Sequence, residues 1–466
     1  MSNAIGGKGA TILMLAIIAF VTLMDGIDGS IVNVALPTLA KDFDTDTGTI
    51  AWITVIYFIM MAGLMIPFAR LCKNGHLRKV LFVGLALFTV SSLFCGLSGD
   101  LSTLIISRTL QGIGAAMMGA SAPMLCVRFL PMKSLGLGMG VLTLGSSMGF
   151  AIGPALGGVI IDVLSWNWLF FINIPMGLII LPLVLKAIPR DEKKSDHIDV
   201  IGAVLLFSTI LFGALAIERL PYEGESLIVI VSACAFAICI SLFIFAGLRK
   251  HDPILNPRVF THRRFNIVFL ALLMINVAYM GILYLMPFYL SNVMGLSPSV
   301  SGAYLFIPPI ITLVICIPIS RWSDRIGSRR GFSIVACAVM VMVFAIMALL
   351  GREGTMIALI VTLVNMGLVW GFCGGPMTSR IVEEISDESR EIGTTLMNES
   401  IYLGGTIGTA LFAMAFTFGS GAGNISFIDL PTEIFLDGFE FSMVIGAVVA
   451  ALSLIATFVV RNKRSV

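Results

Sequence analysis

Charge is what this chain has least of. Only 12% of its 466 residues are Asp, Glu, Lys or Arg, 58% are hydrophobic, and the mean hydropathy is +1.01. A soluble chain of this length needs far more charge to cover its surface, so that class is excluded. The eight cysteines, at 72, 95, 126, 234, 239, 316, 337 and 373, form no C-x-x-C pair and no cluster with histidine. They read as small buried residues rather than as metal ligands. No phosphate-binding loop and no nucleophile with a base is present, so an enzyme is not expected, and ATP is not the expected energy source. A net charge of +2 carries no nucleic-acid signature.

What the chain has instead is long apolar runs, and about 20 such residues cross a bilayer as a helix. Fourteen spans read near 11–38, 48–70, 79–98, 101–127, 135–163, 167–187, 198–217, 227–248, 266–292, 299–320, 332–350, 355–379, 392–418 and 436–460. The first run continues to Pro37, too long for a signal core and without a clear cleavage site. It is expected to remain as the first span.

An even number of spans puts both ends on one side. With that side and every second loop taken together, it carries 25 of the 29 Lys and Arg residues. Only Lys41, Arg219 and Arg352 fall opposite, and Arg108 lies inside a span. The positive-inside rule makes the rich side, with both termini, cytoplasmic. Trp52, Trp166 and Trp168 at outer span ends and Trp322 at an inner one are expected to form an interfacial belt.

Two loops repeat. Residues 67–79 read PFARLCKNGHLRK and residues 318–330 read PISRWSDRIGSRR. The first follows span two and the second span ten, whereas a six-plus-six duplication would put its second copy after span eight. Spans seven and eight, about 198–248, therefore read as an insert. The expected organisation is all-α: a six-helix bundle over 1–190, two inserted helices with flanking segments over 191–262, and a second six-helix bundle over 263–466. Parallel halves of this kind hold a site between them.

Residues 145–158 read GSSMGFAIGPALGG. Gly145, Gly149, Gly153 and Gly157 recur every fourth residue, with Pro154 and Gly158 beside the last two. Such spacing leaves one helix face without side chains, so another helix can approach backbone to backbone. Pro154 removes one internal hydrogen bond and is expected to bend the helix.

At this point the chain resembles a family. The repeated loop is similar to the cytoplasmic signature of the major facilitator superfamily, LIISRTLQGIGAA at 104–116 to its fourth-helix motif, and the glycine segment to its antiporter motif. IDGSIVNVALP at 27–37 and WNWLFFINIPMG at 166–177 resemble the 14-helix drug:proton antiporter branch, as does GTTLMNESIYLGGTIGTA at 393–410 more weakly. The resemblance implies the major facilitator fold, with two pseudo-symmetric six-helix bundles plus two inserted helices. It implies a proton-coupled multidrug efflux antiporter of the cell (inner) membrane, a monomer moving hydrophobic, cationic compounds by alternating access. The proton gradient would supply the energy, with no cofactor.

One departure matters. The first loop usually carries an Asp-Arg pair, and here those positions hold Cys72 and Lys73. The second loop keeps Asp324 and Arg325, then Gly327, Arg329 and Arg330. The resemblance implies a latch on the cytoplasmic side, expected to rest more on Asp324 than on the first loop. Each of these Arg residues also has a plainer account, as a topology signal.

Four charges fall clearly within spans, well away from the span ends: Asp25, Asp28, Arg108 and Glu399. Each costs roughly 3 kcal/mol on insertion scales, which makes them functional candidates. At a rise of 1.5 Å per residue, Asp28 lies about 14 Å and Asp25 about 18 Å from the outer end of span one, and Arg108 about 10 Å from the outer end of span four. Glu399 lies about 10 Å from the cytoplasmic end of span thirteen. A carboxylate that meets Arg108 in one conformation and loses it in another would bind and release a proton. The rival account is a permanent ion pair or a hydrogen-bonded structural acid.

For the substrate, Tyr57, Trp370 and Tyr402 are the candidate lining residues, because a cation favours aromatic faces beside a carboxylate. Gly371, Gly374, Gly375 and Pro376 after Trp370 point to a broken span. Two rival functions remain open at this stage: a symporter or exporter of one metabolite, and a receptor or scaffold without transport.

Overall fold

A backbone inside a bilayer must satisfy its own hydrogen bonds, and helices do so. The structure, a computed structural model, describes residues 8–191, 199–222, 224–250, 252–255, 257–326, 329–384, 390–422 and 425–460. Among these every regular element is helical. The long helices of the first part are α1 (Lys8–Asp42), α2 (Trp52–Leu71), α3 (Leu77–Gly96), α4 (Leu101–Phe129), α5 (Met132–Val163) and α6 (Asn173–Ala187). Then come α7 (Val200–Glu218) and α8 (Ser226–Arg249). The last part holds α9 (Arg263–Asn292), α10 in two pieces (Pro298–Leu305 and Ile307–Ile326), α11 (Arg329–Leu350), α12 (Met356–Glu384), α13 (Arg390–Ser420) and α14 (Thr432–Val459).

Among the described residues, thirteen helical stretches are long and apolar enough to cross a membrane. One of them, Thr47–Gly96, runs for 50 residues and folds back on itself. Gly112 and Gly119 of α4 lie beside Tyr57 and Met61, so α2 runs parallel to α4. Gly84 lies beside Met117 and Gly114 beside Phe88, so α3 runs antiparallel to it. The reversal falls at Gly75, whose φ of 102° is a conformation that suits glycine.

Direction fixes two faces. Helices α1 and α13 are parallel, since Asp25 meets Tyr402 and Gly48 meets Thr417. Helix α14 returns antiparallel to α13, its start at Gly438 packing on Phe416. The start of α1 and the end of α14 therefore share one face, called the near face; the opposite one is the far face.

Within the first part, α5 packs on α1 through its glycines. A methyl on Gly149 would stand 2.6 Å from the Leu23 carbonyl and 2.8 Å from the carbonyl carbon of Gly26. Gly145 packs against Ala19 and Thr22, Gly153 against Ser30 and Ile31, and Gly157 against Ile31. The last part repeats the device: Gly404 and Gly408 of α13 press on Asn276 and Val277 of α9. Two helix pairs built alike are the visible trace of two pseudo-symmetric bundles.

The parts meet along three lines, α5 with α10, α2 with α13, and α1 with α9. Helix α7 covers the second of these and carries α8 on its outside. Two tryptophans depart from the expected belt: Trp52 and Trp166 are buried, and Trp166 donates to Asp42 at 2.8 Å. Protein covers those span ends, so only Trp168 and Trp322 are exposed.

Candidate functional site

Helix α1 supplies two acids one turn apart, and they meet different company. Asp28 is enclosed: its Oδ2 accepts from Arg108 Nη1 at 2.7 Å, and its Oδ1 accepts from Gln111 at 2.9 Å and Asn173 at 3.1 Å. Arg108 also donates to the Gln111 side chain at 2.7 Å and to the Ile53 carbonyl at 3.2 Å. Its guanidinium lies 4.3 Å from the centre of the Tyr57 ring. Gln111 donates its second N–H to Ser92 at 2.8 Å. Both charges are 1% exposed. A buried pair survives outside water only with its remaining lone pairs and protons satisfied, as here.

Asp25 has neutral partners. Tyr57 Oη donates to Oδ1 at 3.2 Å, and Tyr402 Oη, from α13, donates to Oδ2 at 3.4 Å. Tyr57 thus joins the two acids, with its ring under Arg108 and its hydroxyl on Asp25. Asp25 also borders a cleft of about 110 Å³, with Thr22, Met65, Pro123, Ser146, Asn398 and Tyr402 among its walls. Residues 21 and 22 precede Asp25 on α1, so the cleft lies on its near-face side. Both halves of the chain line it.

The sequence-based candidates divide accordingly. The structure brings Asp25, Asp28, Arg108, Tyr57 and Tyr402 into one cluster. Glu399 lies a turn before Tyr402, fully buried, and neither of its carboxylate oxygens has a hydrogen-bond partner among the described residues. Asn398, its neighbour, lines the cleft instead. Trp370 is apart, its ring 5.7 Å from that of Tyr279 in an edge-to-face pair. Gln111, Asn173 and Ser92 were not singled out by charge. Gln111 and Asn173 stand inside the two quoted motifs, where a neutral amide in an apolar span was the available signal.

The gating candidates separate too. Gly145, Gly149, Gly153 and Gly157, the bare face read from the sequence, pack on α1 in their own half. Only the end of the segment reaches the other half. Gly158 abuts Pro298 and Ser299, and the Pro154 carbonyl abuts Gly302. Ser299 adds hydrogen bonds to Asp162 at 3.0 Å and to the Gly158 carbonyl at 3.2 Å. The far face is therefore closed along α5 and α10.

On the near face, Cys72 is buried with its sulfur 3.4 Å from Ser121. A carboxylate reaches the first loop from elsewhere: Asp191 accepts from the Arg78 and Lys79 amides at 2.8 and 2.9 Å. Burial and the Asp191 charge push the Cys72 thiol up to about 11, so it stays neutral. In the second loop, Arg330 donates to the Phe458 carbonyl at 2.6 Å, and Arg325 is exposed. Gly327 and the side chain of Asp324 lie outside the described residues.

The family model of the Major Facilitator Superfamily matches residues 18–409, and the chain belongs to that family. It is 27% identical over 415 residues to the riboflavin transporter RibZ of Clostridioides difficile, covering 87% of this chain and 89% of that one. It is 28% identical over 408 residues to a multidrug resistance protein B homolog of Mycobacterium tuberculosis, covering 85% and 74%. In fold it is similar to a bacterial homolog of the human lysosomal transporter Spinster in an inward-facing, unoccupied conformation. There the TM-score is 0.69 at 14% identity, over 97% and 98% of the two chains. The protein is thus a multi-pass membrane transporter and not an enzyme.

Proposed function

We propose that the protein is a proton-coupled antiporter of the cell (inner) membrane that exports hydrophobic, cationic compounds by alternating access. The near face is the cytoplasmic one in this reading, and the monomer is the working unit. The observation that carries it is Asp25: a carboxyl between tyrosines of the two halves, bordering a cleft that both halves line on its near-face side. Burial disfavours the charged form of any carboxyl, so a site of this kind holds a proton or a cation but has little tolerance for neither. A cationic substrate entering from the cytoplasm displaces the proton, and a proton entering from outside displaces the substrate. Exchange on one acid, reached from one side at a time, is antiport. Asp28 and Arg108 hold α1 and α4 in register and set the field at Tyr57.

The test is pH-driven export from proteoliposomes. Asp25→Asn is expected to abolish accumulation against a substrate gradient while the protein still melts cooperatively. Normal uphill export by that variant would sink the reading. A second reading, transport of one metabolite, is favoured by the riboflavin transporter among the relatives, which is as similar as the multidrug protein. A ligand screen by thermal shift at two pH values, with lipophilic cations, neutral drugs and flat aromatic metabolites, separates the two.

A further inference from the structure

Helices α7 and α8 have no counterpart in a six-plus-six repeat, and the site above makes no use of them. Their polar part is the far-face turn between them. Glu218 ends α7 with its side chain 1% exposed, and Arg219 Nε lies 2.9 Å from its Oε2. Tyr222 then turns its hydroxyl to Asp46 Oδ1, at 2.9 Å.

Asp46 belongs to the turn between α1 and α2. It caps the short helix Thr47–Ile50, accepting from the Gly48 and Thr49 amides at 2.8 and 2.9 Å. Gly48 has no room for a side chain: the Tyr222 hydroxyl, Thr417 Oγ1 and Asp46 Oδ1 crowd its missing Cβ, the last two at 3.0 and 3.1 Å. Three parts of the chain converge on that glycine: the α1–α2 turn, α13, and the α7–α8 turn. The second half grips the same turn elsewhere. Tyr284 donates to the Thr47 carbonyl, and the Phe427 amide to the Thr45 carbonyl at 3.1 Å.

Helix α7 is anchored to the first half lower down, where the Phe207 ring fills the space over Gly63 of α2. The turn itself is braced: Arg219 Nη1 lies 3.1 Å from Glu225, and its guanidinium 5.6 Å from the centre of the Tyr222 ring. Burial, and then the Asp46 charge, push the Tyr222 phenol above its ordinary range, so it remains a donor at neutral pH.

We propose that the α7–α8 turn is a far-face latch, in which the Tyr222 hydroxyl on Asp46 holds the α1–α2 turn against α13 and keeps the far mouth shut. The inference rests on the alternating-access reading, since a latch has meaning only where that mouth opens. Tyr222 acts through Asp46 and is a positioning residue. The inserted helices are then a brace that sets how often the transporter opens outward.

The test measures opening itself. Spin labels on Val163 and Val300, exposed residues on either side of the α5–α10 seam, report the far-mouth distance by pulsed dipolar spectroscopy. The full chain is used, with the exposed Cys234 changed to Ser. Tyr222→Phe removes one hydroxyl and is expected to raise the open population about tenfold or more, the scale of one hydrogen bond to a charged acceptor. Leu220→Ala, at an exposed position of the same turn, leaves the Tyr222–Asp46 bond and the Arg219–Glu225 brace in place and is expected to keep the parent distribution. A Tyr222→Phe distribution that superimposes on the parent, with an unchanged melting temperature, overturns the latch. Equal opening by both variants overturns it as well. No substrate or pH gradient is present in this measurement. Failure of uphill export by the parent would therefore sink the antiport reading and leave these distances standing, while unchanged distances sink the latch alone.

Discussion

The Tyr402 hydroxyl of α13 donates to Asp25 of α1 across 3.4 Å, and so joins the two halves of the chain at the acid that borders the cleft. One turn further along α1, Asp28 accepts three hydrogen bonds from its own half. The two carboxylates differ in what must break when the halves move. In the proposed alternating access, rocking would change the Tyr402 contact and leave the Arg108 pair whole.

The two acids are therefore expected to fail differently. Asp28→Asn leaves the Arg108 guanidinium buried without a counter-charge, and losing one partner of a buried pair costs about 3 kcal/mol or more. Its melting temperature in detergent should fall by several degrees, with poor yield. Asp25→Asn should melt close to the parent and lose coupling alone. Equal melting temperatures for the two variants would place both acids in the same role.

Glycine-to-alanine changes along α5 should sort by partner. Gly149→Ala drives a methyl into the α1 backbone, 2.6 Å from the Leu23 carbonyl, and overpacking of this kind costs roughly 1–3 kcal/mol. Gly140→Ala meets nothing within 4 Å and should be silent. Gly158→Ala strikes Pro298 of the other half, so it should lengthen the far-mouth distance more than it lowers the melting temperature. A loss of stability equal to that of Gly149→Ala would contradict this division.

Glu399 has no hydrogen-bond partner for either oxygen among the described residues, so Glu399→Gln breaks no observed bond. Its melting temperature is expected to equal or exceed that of the parent. Transport of cationic compounds should fall at least several-fold relative to neutral ones if the acid serves substrate selection. An unchanged ratio in vesicle assays would reduce it to packing.

Stability near the near face should depend on pH through Asp199. The Asp199 side chain is 5% exposed, and it accepts from Lys250, from the Gly202 amide at 2.8 Å and from the Ile254 amide at 3.2 Å. Burial raises the carboxyl, but Lys250 and the two amides outweigh it and hold it below the usual carboxylate range. A depressed carboxyl stabilises fully above its unfolded value, about 3.9, and loses that contribution as pH falls through the folded one. Asp199→Asn should melt below the parent at pH 7, with the gap closing under about pH 4. A gap that does not narrow at all as pH falls below about 4 would assign the loss to packing.

Much of this was legible before any coordinates. The ends of α3, α5, α7 and α8 fall within a few residues of the spans read from hydropathy, because polar residues stop a bilayer helix abruptly. Asp25, Asp28 and Arg108 stood out because a charge in an apolar run is rare. Gln111 and Asn173 did not, since a neutral amide disturbs hydropathy little, and their worth lies in which carboxylate they reach. The partner of the glycine face was not legible either. A bare face says that something approaches closely, and α1 and α10 were equally available in sequence. Nor did the α7–α8 insert show its purpose, which depends on a tyrosine meeting an aspartate 176 residues away.

Helix α5 is fastened to α1 along its glycines and touches α10 only at its far end. That makes α1 and α5 a single stiff arm, with both acids on one member and the far seam on the other. If the seam parts, Asp25 swings with the arm, because the glycines leave no α5 side chain at the joint to absorb the motion. Coupling between gate and acid is then a matter of leverage: a length of bare backbone carries the message, and any residue that thickens the joint shortens the stroke.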